Sequence, residues 1–293
     1  VPFSLSGMKS GLVEFETEEL KGRLLCNGSQ HGICSLARKE RPIEAANPDW
    51  CLFNLYRWLS RDRYHGMPRQ TPFSWEASAQ QICLRWEPYP EHQATTIATY
   101  RLYEPNAVEL DIRVVPHAAY LEYELFLSGY LTSGWVPEVI IKPTMHAQDS
   151  FPSALIPQAN EFLRGCYLYY PQHQAGVRRL FDGRWQRGGY PTHWATGRFF
   201  ARALVNYRHL SSGQCCLALA KQADCFAIGS SYVTDDPQDS VAAHRAMYFS
   251  LFGQDTLPGF PLITRLRLYL LASSDEKMRE RLYADFQAQE WRG

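Results

Sequence analysis

Thr95-Thr96-Ile97-Ala98-Thr99-Tyr100-Arg101-Leu102-Tyr103-Glu104-Pro105-Asn106-Ala107-Val108-Glu109-Leu110-Asp111-Ile112-Arg113-Val114-Val115 is the stretch that decides the fold class. Side chains alternate between the two faces of a strand, so period two is the mark of a half-buried sheet. Thr96, Ala98, Tyr100 and Leu102 fall on one face of the first half, and Leu110, Ile112 and Val114 on one face of the second. Pro105-Asn106 breaks the run between them. The stretch therefore reads as an antiparallel hairpin.

The same signature recurs outward in both directions. Toward the N-terminus, residues 12–18 alternate, with Val13, Phe15 and Thr17 on one side and Glu14, Glu16 and Glu18 on the other. Residues 23–26 and 32–36 flank Asn27-Gly28, a strong hairpin turn pair. Residues 82–86, 121–130 and 139–143 follow, and the second half adds 165–170, 198–204, 215–220, 225–230, 246–251 and 262–272. Ser211-Ser212-Gly213-Gln214 reads as another hairpin turn. Helical spacing is rare: its best case is residues 274–289, with Ser274 and Asp275 as candidate caps. Residues 49–59 fit a short helix or a strand. Without a linker or a repeat, the expectation is one all-β domain over residues 8–293, built as a large antiparallel β-sandwich of stacked sheets. Met8 is a candidate native start, with residues 1–7 a remnant.

Composition bounds the function. Lys+Arg and Asp+Glu are both 30 in 293 residues, so no net charge draws the chain to nucleic acid or to an anionic membrane. No apolar run approaches the ~20 residues that span a bilayer, and no secretory signal is read, which gives the expectation of a cytoplasmic protein. The eight cysteines lack zinc-ligand spacing and sit in apolar runs such as Ile82-Cys83-Leu84, so buried free thiols are expected rather than disulfides. No nucleophile elbow, P-loop or dinucleotide fingerprint is present.

Two stretches hold the chemistry. Tyr64-His65-Gly66-Met67-Pro68-Arg69-Gln70-Thr71-Pro72-Phe73-Ser74-Trp75-Glu76 places a proton carrier, a rigid fork of donors and a flat apolar face within a dozen residues amid turn formers. The alternative is a turn whose Trp75 packs in the core and whose Arg69 caps a strand. Residues 172–196 form a glycine-rich loop with Trp185, Tyr190, His193 and Trp194, which read either as a sugar platform or as buried packing.

Three motifs in order resemble the galactose mutarotase-like family of β-supersandwiches, which includes aldose 1-epimerases, hexose-6-phosphate epimerases and domains of glycoside-processing enzymes. Asn27-Gly28-Ser29-Gln30-His31-Gly32-Ile33-Cys34-Ser35-Leu36 looks like the opening hairpin of that family. His65-Gly66-Met67-Pro68-Arg69, with Phe73 and Trp75, resembles its His-Gly-Phe-Ala-Arg segment, and Leu257-Pro258-Gly259 its turn before the closing strand. The resemblance implies a supersandwich, with His65 and Arg69 as substrate-contacting residues. It implies a second catalytic histidine at His146, for which His117 is a weaker rival. The family's general-base glutamate falls where this chain has Thr234-Asp235-Asp236-Pro237, so the departure leaves Asp236, or its neighbour Asp235, as the candidate base.

The combined expectation is a carbohydrate-active protein holding a sugar or glycan end in a concave sheet cleft, most simply as an aldose 1-epimerase-like isomerase. Mutarotation needs a base for the anomeric hydroxyl and an acid for the ring oxygen, with no metal or cofactor. His65, His146 and Asp236 are the candidate catalytic groups. Arg69, Trp75, Trp185, Tyr190, His193 and Trp194 are the candidate sugar contacts. A non-catalytic sugar-binding protein and a glycan lyase or hydrolase are the alternatives. A lyase would draw on Tyr190, His193 and Arg187. The carboxylate pairs Glu122/Glu124 and Glu109/Asp111 share strand faces and read as structural.

Overall fold

A computed structural model describes residues 3, 11–28, 30–143, 151–188 and 191–290. Among them the strands form three sheets. The hairpin read first is present: Ala94–Tyr103 pairs antiparallel with Ala107–Pro116, Tyr100 opposite Leu110 and Thr96 opposite Val114. It sits inside a nine-stranded sheet in the order Ser153–Leu155, Trp135–Ile141, Phe200–His209, Cys215–Ala220, Leu262–Leu271, Ala107–Pro116, Ala94–Tyr103, Gln81–Trp86, Ser74–Ala77. A seven-stranded sheet runs Trp194–Thr196, Tyr167–Pro171, Cys225–Ser230, Ala246–Thr256, Tyr120–Tyr130, Asn54–Ser60, Arg63–Gly66. Its neighbours are antiparallel apart from the edge pair Tyr167–Pro171 and Trp194–Thr196. The third sheet joins Leu12–Glu16, Leu20–Cys26 and His31–Arg38, with Asn27-Gly28 turning the chain between the last two.

The alternation places the core. Ala98, Tyr100, Leu110, Ile112 and Val114 from the large sheet meet Leu55, Trp58, Tyr123, Leu125, Leu127, Met247, Phe249 and Leu251 from the seven-stranded one, all buried in one apolar cluster. Val13 and Phe15 join them from the third sheet. Each such residue is removed from water, at roughly 1.5–3 kcal/mol for a large side chain. The outer face of the nine-stranded sheet is closed by helix Glu276–Ala288, which Asp275 caps through the Met278 amide. Tyr283 and Phe286 pack from that helix onto Leu217, Leu219 and Tyr269.

The paired carboxylates are structural, as their spacing suggests. Asp111 takes Arg265 at 2.6 Å, and Glu109 takes Arg267, on the strand alongside. All eight cysteines are free, most of them buried. Among the described residues no helix is long and apolar enough to cross a membrane.

The loop read at residues 172–196 is more ordered than its glycines suggest. It holds helix Gln174–Leu180, a 3-10 turn at Arg184–Gln186 and the edge strand Trp194–Thr196. Arg184 locks it down: the side chain is fully buried and bonds Asp182 and Glu124, the latter at 2.8 Å. A buried ion pair of this kind holds its geometry because losing either partner strands a charge.

Candidate functional site

Among the described residues, the second apolar face of the seven-stranded sheet is not covered along its whole length. Leu59, Phe126, Tyr130, Tyr169 and Tyr248 project there, and over part of it lies a cleft of about 300 Å³. Its walls are Trp50, Tyr56, Arg57, Arg69, Tyr130, Tyr167, Trp194 and Tyr248, with Thr192, His193, Ser240 and His244 at the margins.

A backbone irregularity makes this wall. On strand Asn54–Ser60, Leu55 pairs with Leu127 but Arg57 pairs with Phe126, so one extra residue is inserted at Tyr56. A β-bulge of this kind turns two consecutive side chains toward one face. Leu55 and Trp58 therefore stay in the core, while Tyr56 and Arg57 both reach the cleft. The Arg57 guanidinium lies 5.0 Å from the Tyr56 ring centroid and 5.1 Å from that of Trp185. Its Nη2 donates to Thr192 Oγ1 at 3.2 Å.

Arg69 comes from a 3-10 turn at Pro68–Gln70. Proline fits the first position of that turn, where its missing N–H has no helical partner to lose. The turn is tied down twice. Thr71 Oγ1 donates to the Met67 carbonyl at 2.9 Å, and the buried indole of Trp86 donates to the Pro68 carbonyl at 3.0 Å. The Arg69 guanidinium then rests 4.0 Å over Tyr56 and 5.1 Å from Trp50. Its Nη1 is buried, with no hydrogen-bond partner among the described residues. Trp50 is positioned through Asn54, whose Nδ2 donates to the Trp50 carbonyl at 2.6 Å.

The opposite wall is aromatic and hydroxyl-bearing. Trp194 stands edge-on to Tyr248 at 5.3 Å, and Phe126 stacks on Tyr248 at 5.2 Å. The Tyr167 hydroxyl and His244 Nδ1 are 2.8 Å apart. Burial pushes the Tyr130, Tyr167 and Tyr248 phenols above their ordinary value, so all three remain protonated donors at neutral pH. No carboxylate is among the described residues that line the cleft, and its charge is carried by Arg57 and Arg69.

The structure brings together some of the sequence candidates and separates others. Arg69, His193 and Trp194 share the cleft, and Trp185 lies buried beneath it, 5.2 Å from Trp194. His65 does not share a hollow with Arg69. It is an extra residue in its own strand, since Trp58 pairs with Gly66 and Leu59 with Tyr64. Its ring turns to Ser60 and to the Glu91 carbonyl, in a separate hollow. Trp75 sits half-buried on the edge strand Ser74–Ala77 of the other sheet, packed against the core. Asp236 accepts from the Gln238 amide at 2.9 Å and meets Arg164 at 3.6 Å, in a turn that does not line the cleft. His146 and Tyr190 lie outside the described residues. Tyr56, Arg57, Tyr130, Tyr167 and His244 are wall residues that the sequence reading passed over. A bulge and a five-residue helix, Ser240–His244, carry three of them, and neither leaves a periodic signal.

Solved structures share this layout. Slr1438 from Synechocystis sp. PCC 6803 is similar over 89% of this chain and 96% of its own, at 9% identity and a TM-score of 0.55. The 4-alpha-glucanotransferase from Thermococcus litoralis is similar over 92% of this chain, at 9% identity and a TM-score of 0.51, and the match spans 39% of the enzyme. The fold is the galactose mutarotase-like supersandwich. The galactose 1-epimerase from Lactobacillus acidophilus NCFM is also similar, over 90% of this chain at 7% identity and a TM-score of 0.49. No protein-family model matches the sequence, and no curated protein does. Likeness at 9% identity shows the fold alone, so the activity is argued from the cleft.

Proposed function

We propose that this supersandwich binds a saccharide end carrying a negatively charged substituent in the Arg57/Arg69 cleft. The observation that carries the reading is the pair of guanidinium groups on Tyr56, inside a cleft walled by tryptophan and tyrosine. Aromatic faces take the apolar side of a sugar ring, and phenol hydroxyls bond its edge. Arginine presents a planar fork that suits a carboxylate, sulfate or phosphate group. Arg69 Nη1, buried and without a hydrogen-bond partner among the described residues, is a donor such a group could satisfy. Calorimetry against matched neutral and anionic sugars tests this. Tighter binding of the anionic member, weakening as salt rises, supports it; equal binding of both members removes the charge from the reading.

Aldose 1-epimerase-like turnover is the catalytic form of the same proposal, favoured by the Tyr167–His244 contact. A protonated phenol beside an imidazole offers one donor and one acceptor, the two roles that anomer exchange requires. In this form His244 would take the anomeric proton and Tyr167 would donate to the ring oxygen. Exchange spectroscopy on freshly dissolved aldoses and their anionic derivatives would show faster interconversion, lost in His244→Ala. Binding without faster exchange would leave a recognition protein on the same fold.

A further inference from the structure

His65 is placed for a chemistry the cleft does not use. Its Nδ1 lies 2.8 Å from the Glu91 carbonyl oxygen, and its Nε2 lies 2.8 Å from Ser60 Oγ. A carbonyl oxygen only accepts, so Nδ1 carries the ring proton and Nε2 presents its lone pair to the serine hydroxyl. The Tyr120 ring, edge-on at 5.0 Å, fixes the imidazole plane. Burial holds His65 below the ordinary histidine range, which keeps the ring neutral and able to accept. Ser60 pairs with Arg63 to close a tight hairpin, turned at Asp62 with φ +53°, and the extra residue at His65 brings its ring within hydrogen-bond distance of Ser60. Nucleophile to base and base to orienting group are thus both within hydrogen-bond reach, which is the geometric requirement for an activated hydroxyl.

We propose that Ser60 and His65 form a nucleophile–base pair that cleaves small carboxylic esters in this second hollow. The hollow is about 900 Å³ and is lined by Ser60, His65, Arg63, Gln93, Tyr120 and Arg187, among others. In the first step Ser60 Oγ bonds to the ester carbonyl carbon and its proton passes to His65 Nε2. The alcohol departs with that proton, leaving an acyl-serine. Water then gives a proton to His65 and its oxygen to the acyl carbon, and Ser60 is restored as the carboxylic acid leaves. Arg63 and Arg187, exposed on the rim, supply N–H donors for the oxygen that becomes negative, and they favour esters that carry an anionic group.

The test uses the full chain with p-nitrophenyl acetate as substrate and a fluorophosphonate as covalent probe. We expect a phosphonyl adduct that peptide mapping places on Ser60. We also expect ester hydrolysis to be lost in Ser60→Ala and to fall on the order of a hundredfold or more in His65→Gln. Arg69→Ala, altered only in the saccharide cleft, should keep both signals, so failure of the sugar reading leaves this one standing. An adduct on another residue, no adduct at all on the wild-type chain, or hydrolysis unchanged in a folded Ser60→Ala protein would overturn the pair as a nucleophile. Mapping the wild-type adduct decides the matter even where a variant fails to fold.

Discussion

The Arg69 guanidinium stands 4.0 Å from the Tyr56 ring centroid, so a cation rests on an aromatic face at the mouth of the cleft. Cation–π contact holds the fork in place for about 0.5–2 kcal/mol while leaving its N–H edge free to bond. A hydrogen bond from a charged donor is worth roughly 1.5–3 kcal/mol. Arg69→Ala should therefore weaken binding of an anionic sugar by roughly tenfold to a hundredfold. Neutral sugars should be much less affected, and the melting temperature should stay close to that of the parent. Arg69→Lys should recover only part of the affinity, because an ammonium lacks the planar fork. Calorimetry on the three proteins checks both statements.

Trp86 and Pro68 connect this site to the core. The indole N–H donates to the Pro68 carbonyl at 3.0 Å from a fully buried position on the other sheet. Trp86→Phe removes that bond and leaves a gap, at a cost of roughly 1–3 kcal/mol. It also frees the turn that presents Arg69. The variant should melt lower and bind an anionic sugar more weakly, although Trp86 does not line the cleft. A variant that melts lower yet binds unchanged would show that the turn holds its shape without the indole.

Much of the sheet architecture was legible because it rests on period two, which tight antiparallel pairing imposes on every buried face. The alternation at 95–115, the Asn27-Gly28 turn and the helix from Asp275 are all where the sequence puts them. Less of the candidate site was legible, for a related reason. Tyr56 and Arg57 owe their shared direction to a bulge, and His65 owes its departure from Arg69 to another. A bulge shifts one strand by one residue and so reverses the facing that alternation predicts. Residues 49–59 read ambiguously because the bulge lies inside them. Helix Gln174–Leu180 spans seven residues, too short for a helical period to stand out beside its glycines. Arg69 emerged from residue type together with the family motif it resembles, and Trp194 from residue type alone. What neither type nor spacing could show was that Trp75 packs on a different sheet.

Gly66, between His65 and Met67, is a position where side chains do not fit. Its φ is +132°, and a Cβ there would collide with the Tyr89 hydroxyl. That hydroxyl donates to the His65 carbonyl at 2.5 Å, so it has little freedom to withdraw. Gly66→Ala should cost roughly 1–3 kcal/mol through strained backbone and steric overlap. Adding Tyr89→Phe removes the colliding oxygen, so the double variant should lose less than the sum of the two single changes. Urea melts of the four proteins give the coupling. Strict additivity would show that backbone strain alone sets the cost.

His31 gives the fold a dependence on pH whose sign is fixed by a hydrogen bond. The Leu55 amide donates to His31 Nε2 at 2.8 Å, which requires that nitrogen to be unprotonated. Burial first, and the nearby Arg69 charge second, push the ring from its ordinary 6.5 down to about 3. Between those values the unfolded chain binds a proton at this residue that the folded chain refuses. Stability at this residue is therefore fully present above pH 6.5 and falls as pH drops toward 3, by up to about 1.4 kcal/mol per pH unit. His31→Gln keeps an acceptor that can serve the Leu55 amide and cannot titrate. Urea unfolding across that window should show the wild-type chain losing stability faster than the variant on acidification. Equal slopes would mean that His31 takes up its proton in the folded state, and the Leu55 bond would then have to open.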